Sequence, residues 1–314
     1  MGQIAIDIEQ IKERSIRMNL ALMDGVSKEN VEQGQVIVMD IANNCVVGHA
    51  SLRERNGEGG FVYRSHRVNK SDFMTVTLDE PEEYLETKDL CALPVDIIMP
   101  IISYLVLLEF GARPSDEVTW TEGVTSLEDL LVQGHYQPLE ESAEMFLPDR
   151  GGTLNAVIER LGFLPPQPPQ TLRDIQDIKI YPFQMLEWLN QLAKGEGLSY
   201  VFKPEIDNPN GPRKRIISLQ GLLQRCGKEA MDLTERELKT PVSGYSFVSS
   251  PDNNHYRSIA FCGSFPADNP RYGIITWLHH KDSEELNDYE AKKLGKYAID
   301  VTKTVADYIM STQS

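Results

Sequence analysis

Positive charge is what this chain is short of. Lys and Arg number 31 against 47 Asp and Glu, a formal net charge of -16 at pH 7. Nucleic-acid phosphates need a basic surface, so no DNA or RNA partner is expected. The excess acid reads as a solubilising surface. Long apolar runs are missing too: the longest, Leu90 to Leu108, is broken by Pro94, Asp96 and Pro100. It reads as core rather than as a membrane span. The N-terminus, MGQIAIDIEQIKER, turns charged by Asp7 and has no apolar signal core. Membrane attachment is therefore expected only through a segment outside this sequence. Cysteine is scarce and scattered (Cys45, Cys91, Cys226, Cys262), with no C-x-x-C pair. That spacing argues against a thiolate zinc site or a dithiol redox motif, and leaves buried free thiols as the expectation. No G-x-S-x-G, H-E-x-x-H or P-loop is present. Neither a cofactor nor a metal is expected.

What is present is enough apolar material, 41% of 314 residues, for one large domain or two modest ones. Ile4–Ile8 reads as a short strand entering an amphipathic helix from Glu9 to Met23. Gln35–Ile41 and Cys45–Ala50 flank Asn43-Asn44, a good hairpin turn pair. Arg53 to Thr87 is polar, with Gly57, Gly59 and Gly60 marking a loop. Ile97–Phe110 is a buried-helix candidate whose start is limited by Pro100, since Pro is comfortable only in a first turn. Ser126 is placed to cap a helix over Leu127–Val132, with Asp129 three residues on. Leu154–Leu161 and Phe183–Leu192 have helical spacing, the second ending at Gly195 and Gly197. Pro165–Gln170 must be extended, and Asp207–Arg215 is a turn-rich loop. Near the C-terminus, Ile259–Phe265 and Tyr272–Trp277 flank a loop with Pro266, Asp268, Asn269 and Pro270, an antiparallel strand pair. From Ser283 to Met310, Leu286, Tyr289, Tyr297, Val301, Val305 and Ile309 recur at three- and four-residue spacings, one long amphipathic helix. Strands at both ends with helices between predict an α/β (α+β) fold: one antiparallel sheet sandwiched by the terminal helices, with a helical insertion.

The wording of several segments is familiar. Ser258–Leu278 carries FCGSFPADNPRYG, which resembles the F-x-G-x-x-P-A-x-N-P-x-Y of penicillin-binding protein transpeptidase domains. In order along the chain, Gln3–Gln10, Gln35–Ser51, Leu93–Gly111 and Tyr181–Gly195 (YPFQMLEWLNQLAKG) resemble further segments of that family, nearest to its class B group. The resemblance implies a β-lactamase/transpeptidase-like fold over residues 1–314. It implies a sheet subdomain of about 1–95 plus 215–314 and a helical subdomain of about 96–214. It also implies a place in peptidoglycan chemistry, with stem peptide or cell-wall and division proteins as partners, and a periplasmic or cell-envelope location.

The family's acyl transfer needs a serine and a lysine one helical turn apart (S-x-x-K), a second serine (S-x-N) and a strand K-T-G. The lysine takes the serine's proton, the second serine relays protons, and the strand binds the substrate carboxylate. None of the three motifs occurs anywhere in this sequence. Alignment on Pro94 and Pro100 puts Asp96 at the serine and Met99 at the lysine; a shift of one puts Ile97 and Pro100 there instead. The second motif falls at Gln133–Tyr136, with Gly134 and Tyr136 as its equivalents, and the third reads Val242-Ser243-Gly244. Thioether and alkyl groups cannot carry a proton, and residues that act as a unit retain little rate as a partial set. The first reading is thus a catalytically inactive binding or scaffold module, in which Ser243 and Gly244 could still hold a carboxylate or simply be strand. The alternative is an active D,D-transpeptidase or carboxypeptidase-type enzyme using relocated residues such as Asp96, Ser103 or Ser243 with Lys239. Asp96 reads more plainly as a helix cap, and His135-Tyr136 as an ordinary surface pair. His279, His280 and His255 do not make a metal site, because adjacent strand residues face opposite ways. Phe183, Trp188, Trp120 and Trp277 are candidates for core or for a peptide groove.

Overall fold

A computed structural model describes residues 5–26, 31–54, 61–63, 93–94, 98–133, 135–146, 154, 169, 171–176, 179–180, 185–186, 199–201, 214–216, 240–248, 258–280 and 288–312. The elements are, in order, β1 (Ala5–Ile6), α1 (Ile8–Val26), β2 (Val31–Asp40), β3 (Cys45–Glu54), β4 (Phe61–Tyr63) and β5 (Leu93–Pro94). Then come α2 (Met99–Glu109), β6 (Glu117–Trp120), β7 (Gly123–Ser126), α3 (Leu127–Val132), α4 (Tyr136–Phe146), α5 (Arg173–Gln176) and β8 (Lys179–Ile180). The last are β9 (Ser199–Val201), β10 (Lys214–Ile216), β11 (Ser243–Val248), β12 (Ser258–Phe265), β13 (Tyr272–His280) and α6 (Asp288–Ser311). They fall into two compact units: Met1–Leu93 with Ile180–Glu187 and Gly227–Ser314, and Pro94–Lys179 with Trp188–Cys226.

The first unit is built on a seven-stranded sheet ordered β1-β3-β2-β13-β12-β11, with β4 added to β3. β1 runs parallel to β3; the other pairings are antiparallel. Strands from the two ends of the chain thus interleave, as the pattern of apolar segments predicts. The β2–β3 hairpin turns where Asn43-Asn44 placed it: Asp40 Oδ1 accepts from the Asn43 amide at 3.0 Å, and Asn44 has φ 50°. β2 begins earlier than its side chains suggest, at Val31 rather than Gln35, because β3 and β13 ladder against both of its edges. α1 is capped by Asp7, whose Oδ1 accepts from Gln10 N at 3.0 Å.

α1 and α6 lie together on one face of this sheet, rather than one on each side as a sheet sandwiched by the terminal helices would have them, because both bury their apolar stripes in the same core. Met18 and Leu22 of α1 and Leu294, Val301, Val305 and Ile309 of α6 bury against Val36, Val38, Phe261, Ile274 and Leu278. Side chains of this size contribute ~1.5–3 kcal/mol each on burial. Gly48 of β3 lets α1 come this close, since a Cβ there would stand 2.8 Å from Met18 Sδ. A buried hydroxyl pair joins helix to sheet: Thr276 and Thr302 Oγ1 lie 2.7 Å apart, and Thr302 also donates to Ala298 O at 2.9 Å. The other face is buried as well, through Ile37, Met39, Cys262, Ile275 and Trp277. Two buried faces explain why β12 and β13 read as continuous apolar runs.

In the second unit α2 is apolar and buried along its whole length, from Met99 to Leu108. Pro100 sits in its first turn, as the sequence requires. α3 and α4 pack on α2. Ser126 caps α3 as expected, accepting from Asp129 N at 3.1 Å while its hydroxyl donates to Asp129 Oδ2 at 2.6 Å. The hairpin β6–β7 was not anticipated; its short V-T-W and V-T alternations are half exposed and turn without an Asn-Gly signal. The expectations for Leu154–Leu161, Pro165–Gln170, Phe183–Leu192, Asp207–Arg215 and Arg53–Thr87 lie wholly or largely outside the described residues.

Candidate functional site

In the second unit α2, which bears Met99, packs against α3, which ends at Val132, and against α4, which begins at Tyr136. Asp96 and Gly134 lie outside the described residues, and Tyr136 opens α4 with its side chain undescribed. The N-cap of α2 is Ile98, with no side-chain cap hydrogen bond. The N-cap position itself is thus Ile98 rather than Asp96. Met99 is 3% exposed and followed by buried Ile101 and Ile102. Ser103, one turn on, is completely buried, and its Oγ finds no hydrogen-bond partner among the described residues.

The α3–α4 turn is covered by an aromatic ring. Trp120 lies over His135 with centroids 4.6 Å apart at 45°, and its Nε1 donates to Thr125 Oγ1 at 3.2 Å. His135 N donates to Leu130 O at 2.9 Å. His135 thus has a tilted ring contact with Trp120, where the sequence suggests an ordinary surface pair with Tyr136.

In the first unit, Val242, Ser243 and Gly244 enter β11, the strand at one end of the sheet order. Val242 is 3% exposed and belongs to the core shared with α1 and α6. Gly244 stands opposite Gly263 of β12. A Cβ at 244 would come within 2.2 Å of Cys262 O and 2.4 Å of Gly263 Cα, so only glycine fits the approach of the two backbones. Packing alone accounts for this glycine. Ser243 pairs with Ser264 across the ladder, and its own side chain lies outside the described residues.

The segment leading into β11 is held from two sides. Asp307 of α6 accepts from the Thr240 amide through Oδ1 at 2.7 Å. The Pro241 carbonyl accepts from Ala267 N at 2.8 Å, in the loop joining β12 to β13. Sequence reading missed Asp307, because its partner is 67 residues away.

The described ionisable groups with displaced titration lie elsewhere. His49 on β3 is buried, with Nε2 3.1 Å from Gln35 Nε2, and burial lowers its pKa to about 3. Burial raises the Cys262 thiol far above its usual value, beside Met185 Sδ at 4.0 Å. Burial, then Asp7 and Asp40, raise Cys45. Neither thiol is activated for nucleophilic work. His279 lies against Trp277, centroids 5.4 Å apart; among the described residues no cluster of three His, Cys, Asp or Glu could hold a metal.

No protein-family model matches this sequence, and no curated protein matches it. Solved structures do. A peptidoglycan glycosyltransferase from Burkholderia ambifaria superposes with TM-score 0.58 at 12% identity, over 99% of this chain and 98% of its own. The transpeptidase domain of a D,D-transpeptidase from Legionella pneumophila gives 0.54 at 14% identity, over 98% and 100%. The transpeptidase domain of penicillin-binding protein 3 from Burkholderia pseudomallei gives 0.59 at 12%, over 98% and 96%. The chain has the fold of penicillin-binding protein transpeptidase domains, helices with a mainly antiparallel sheet, as its sequence motifs led one to expect.

Proposed function

We propose that this domain serves the cell-wall (peptidoglycan) machinery as a binding or scaffold module and performs no acyl transfer. Its likeness to peptidoglycan transpeptidase domains along nearly their full length supports the cell-wall setting, and with it a place in the cell envelope. Fold alone is a weak warrant for chemistry, so the case rests on side chains. The observation that carries it is a pair of buried apolar residues. On the alignment from Pro94 and Pro100, Met99 stands where the family's general base is expected; a shift of one places buried Pro100 there instead. Val242 stands where its carboxylate-binding cation is expected, and Met99 and Val242 are each 3% exposed. Neither can move a proton or hold an anion.

The ligand on this reading is a peptide stem, bound without a covalent step along the edge of β11 that pairs with no other strand among the described residues. An edge strand offers its backbone amides and carbonyls to an extended peptide, so affinity comes from the main chain and survives loss of the catalytic side chains. The rival reading, acyl transfer by relocated residues, is disfavoured by the complete burial of Ser103, whose Oγ has no hydrogen-bond partner among the described residues.

The test is intact-protein mass spectrometry after incubation with benzylpenicillin, beside the double variant Asp96→Ser/Met99→Lys. The natural protein is expected to keep its mass. A covalent adduct on it would overturn the proposal, and peptide mapping would then identify the nucleophile.

A further inference from the structure

Edge strands with a single neighbour fray, and a binding edge that frays must be ordered again by each ligand. Among the described residues β11 has one neighbour in the sheet, β12. Yet three consecutive residues at its entrance are fixed by three different groups. The Thr240 amide is held by Asp307, the Pro241 carbonyl by the Ala267 amide, and the Val242 side chain by the core under α6. Of these only the first is a charge-assisted bond, short at 2.7 Å, and it comes from the C-terminal helix rather than the sheet. Proline at 241 contributes no amide of its own and narrows the backbone choices of Thr240 before it. Thr240 itself is buried.

From this geometry we infer that Asp307 is the positioning residue of the β11 edge. Its carboxylate latches the strand entrance to α6, presenting Ser243 and Gly244 at a fixed height for a bound peptide. The consequence for binding rests on the reading of β11 as the peptide site; the latch itself does not. Coupling follows from the same bond. Whatever shifts the last turns of α6 moves the entrance of β11, and a peptide ordered on β11 tightens α6.

The test compares the full chain with Asp307→Ala, Asp307→Ser and Asp307→Asn by amide hydrogen exchange. Affinity for a synthetic peptide ending in D-Ala-D-Ala is measured alongside. Hydrogen bonds to charged groups are strong enough that Asp307→Ala should speed exchange at Thr240 roughly tenfold or more. Amides in the β12–β13 ladder should keep their rates. Asp307→Asn, which retains an acceptor oxygen, should recover most of the protection, and peptide affinity should follow the same order. Asp307→Ser, too short to reach the amide, repeats the loss if the alanine variant does not fold. Unchanged exchange at Thr240, or an equal increase throughout the sheet, would overturn the latch. If the natural protein does not bind the peptide, the ligand reading fails while the exchange data still judge Asp307.

Discussion

His49 lies on β3 at 3% exposure, within 3.1 Å of the Gln35 amide, in surroundings that oppose a positive charge. Its folded pKa of about 3 sits below the ordinary 6.5. Between those values the unfolded chain binds a proton that the folded chain refuses, so stability present above pH 6.5 is lost as the pH falls towards 3. The loss at pH 4 is on the order of 3 kcal/mol from this residue. Urea midpoints from pH 7 to 4 should fall more steeply for the natural protein than for His49→Gln, which has no proton to take up. Parallel slopes would show that His49 accepts the charge within the fold. No sequence pattern marked this histidine: within the strand segment VVGHAS it resembles any polar residue on an outward face, and its burial comes from a second packed layer. Asp307 was hidden for a related reason, being one of several acids on an amphipathic helix until the fold brings Thr240 beneath it.

Between elements, the Thr276–Thr302 pair joins β13 to α6 and makes an asymmetric prediction. Thr302 donates to Ala298 O, so it accepts from Thr276. Thr302→Val leaves a buried donor on Thr276 with nothing to bond and should cost about 1–3 kcal/mol. Thr276→Val leaves Thr302 bonded to Ala298 and should cost less, and the double variant, which removes the orphaned donor, should cost less than Thr302→Val alone. Thermal unfolding of the three variants checks the order. Element by element, legibility followed burial. β12, β13 and α2 were readable because buried elements are continuous in apolar residues, and α6 because one face is. The hairpin β6–β7 is half exposed and carries alternating threonine and valine, so it left only a faint period of two. The parallel seating of β1 on β3 pairs Ala5 with Cys45 across the whole of α1 and β2, beyond any local window.

Across the whole molecule, a formal charge of -16 makes the surface repel itself. Salt screens that repulsion, so raising NaCl from roughly 20 mM to roughly 300 mM should raise the unfolding temperature by about 2 °C or more. A flat or falling curve by scanning calorimetry would mean that attractive pairs outweigh the excess acid. Among the described residues no helix is long and apolar enough to cross a membrane. The transpeptidase fold was legible at this scale because several short segments stand in the right order. The state of its site was legible only as missing letters, since the destinations of Met99 and Val242 are decided by packing. The close approach of β11 to β12 at Gly244 and Gly263 bears on how such chains change through time. Selection for folding alone would hold glycine at 244 indefinitely while releasing 242 to any residue the core accepts.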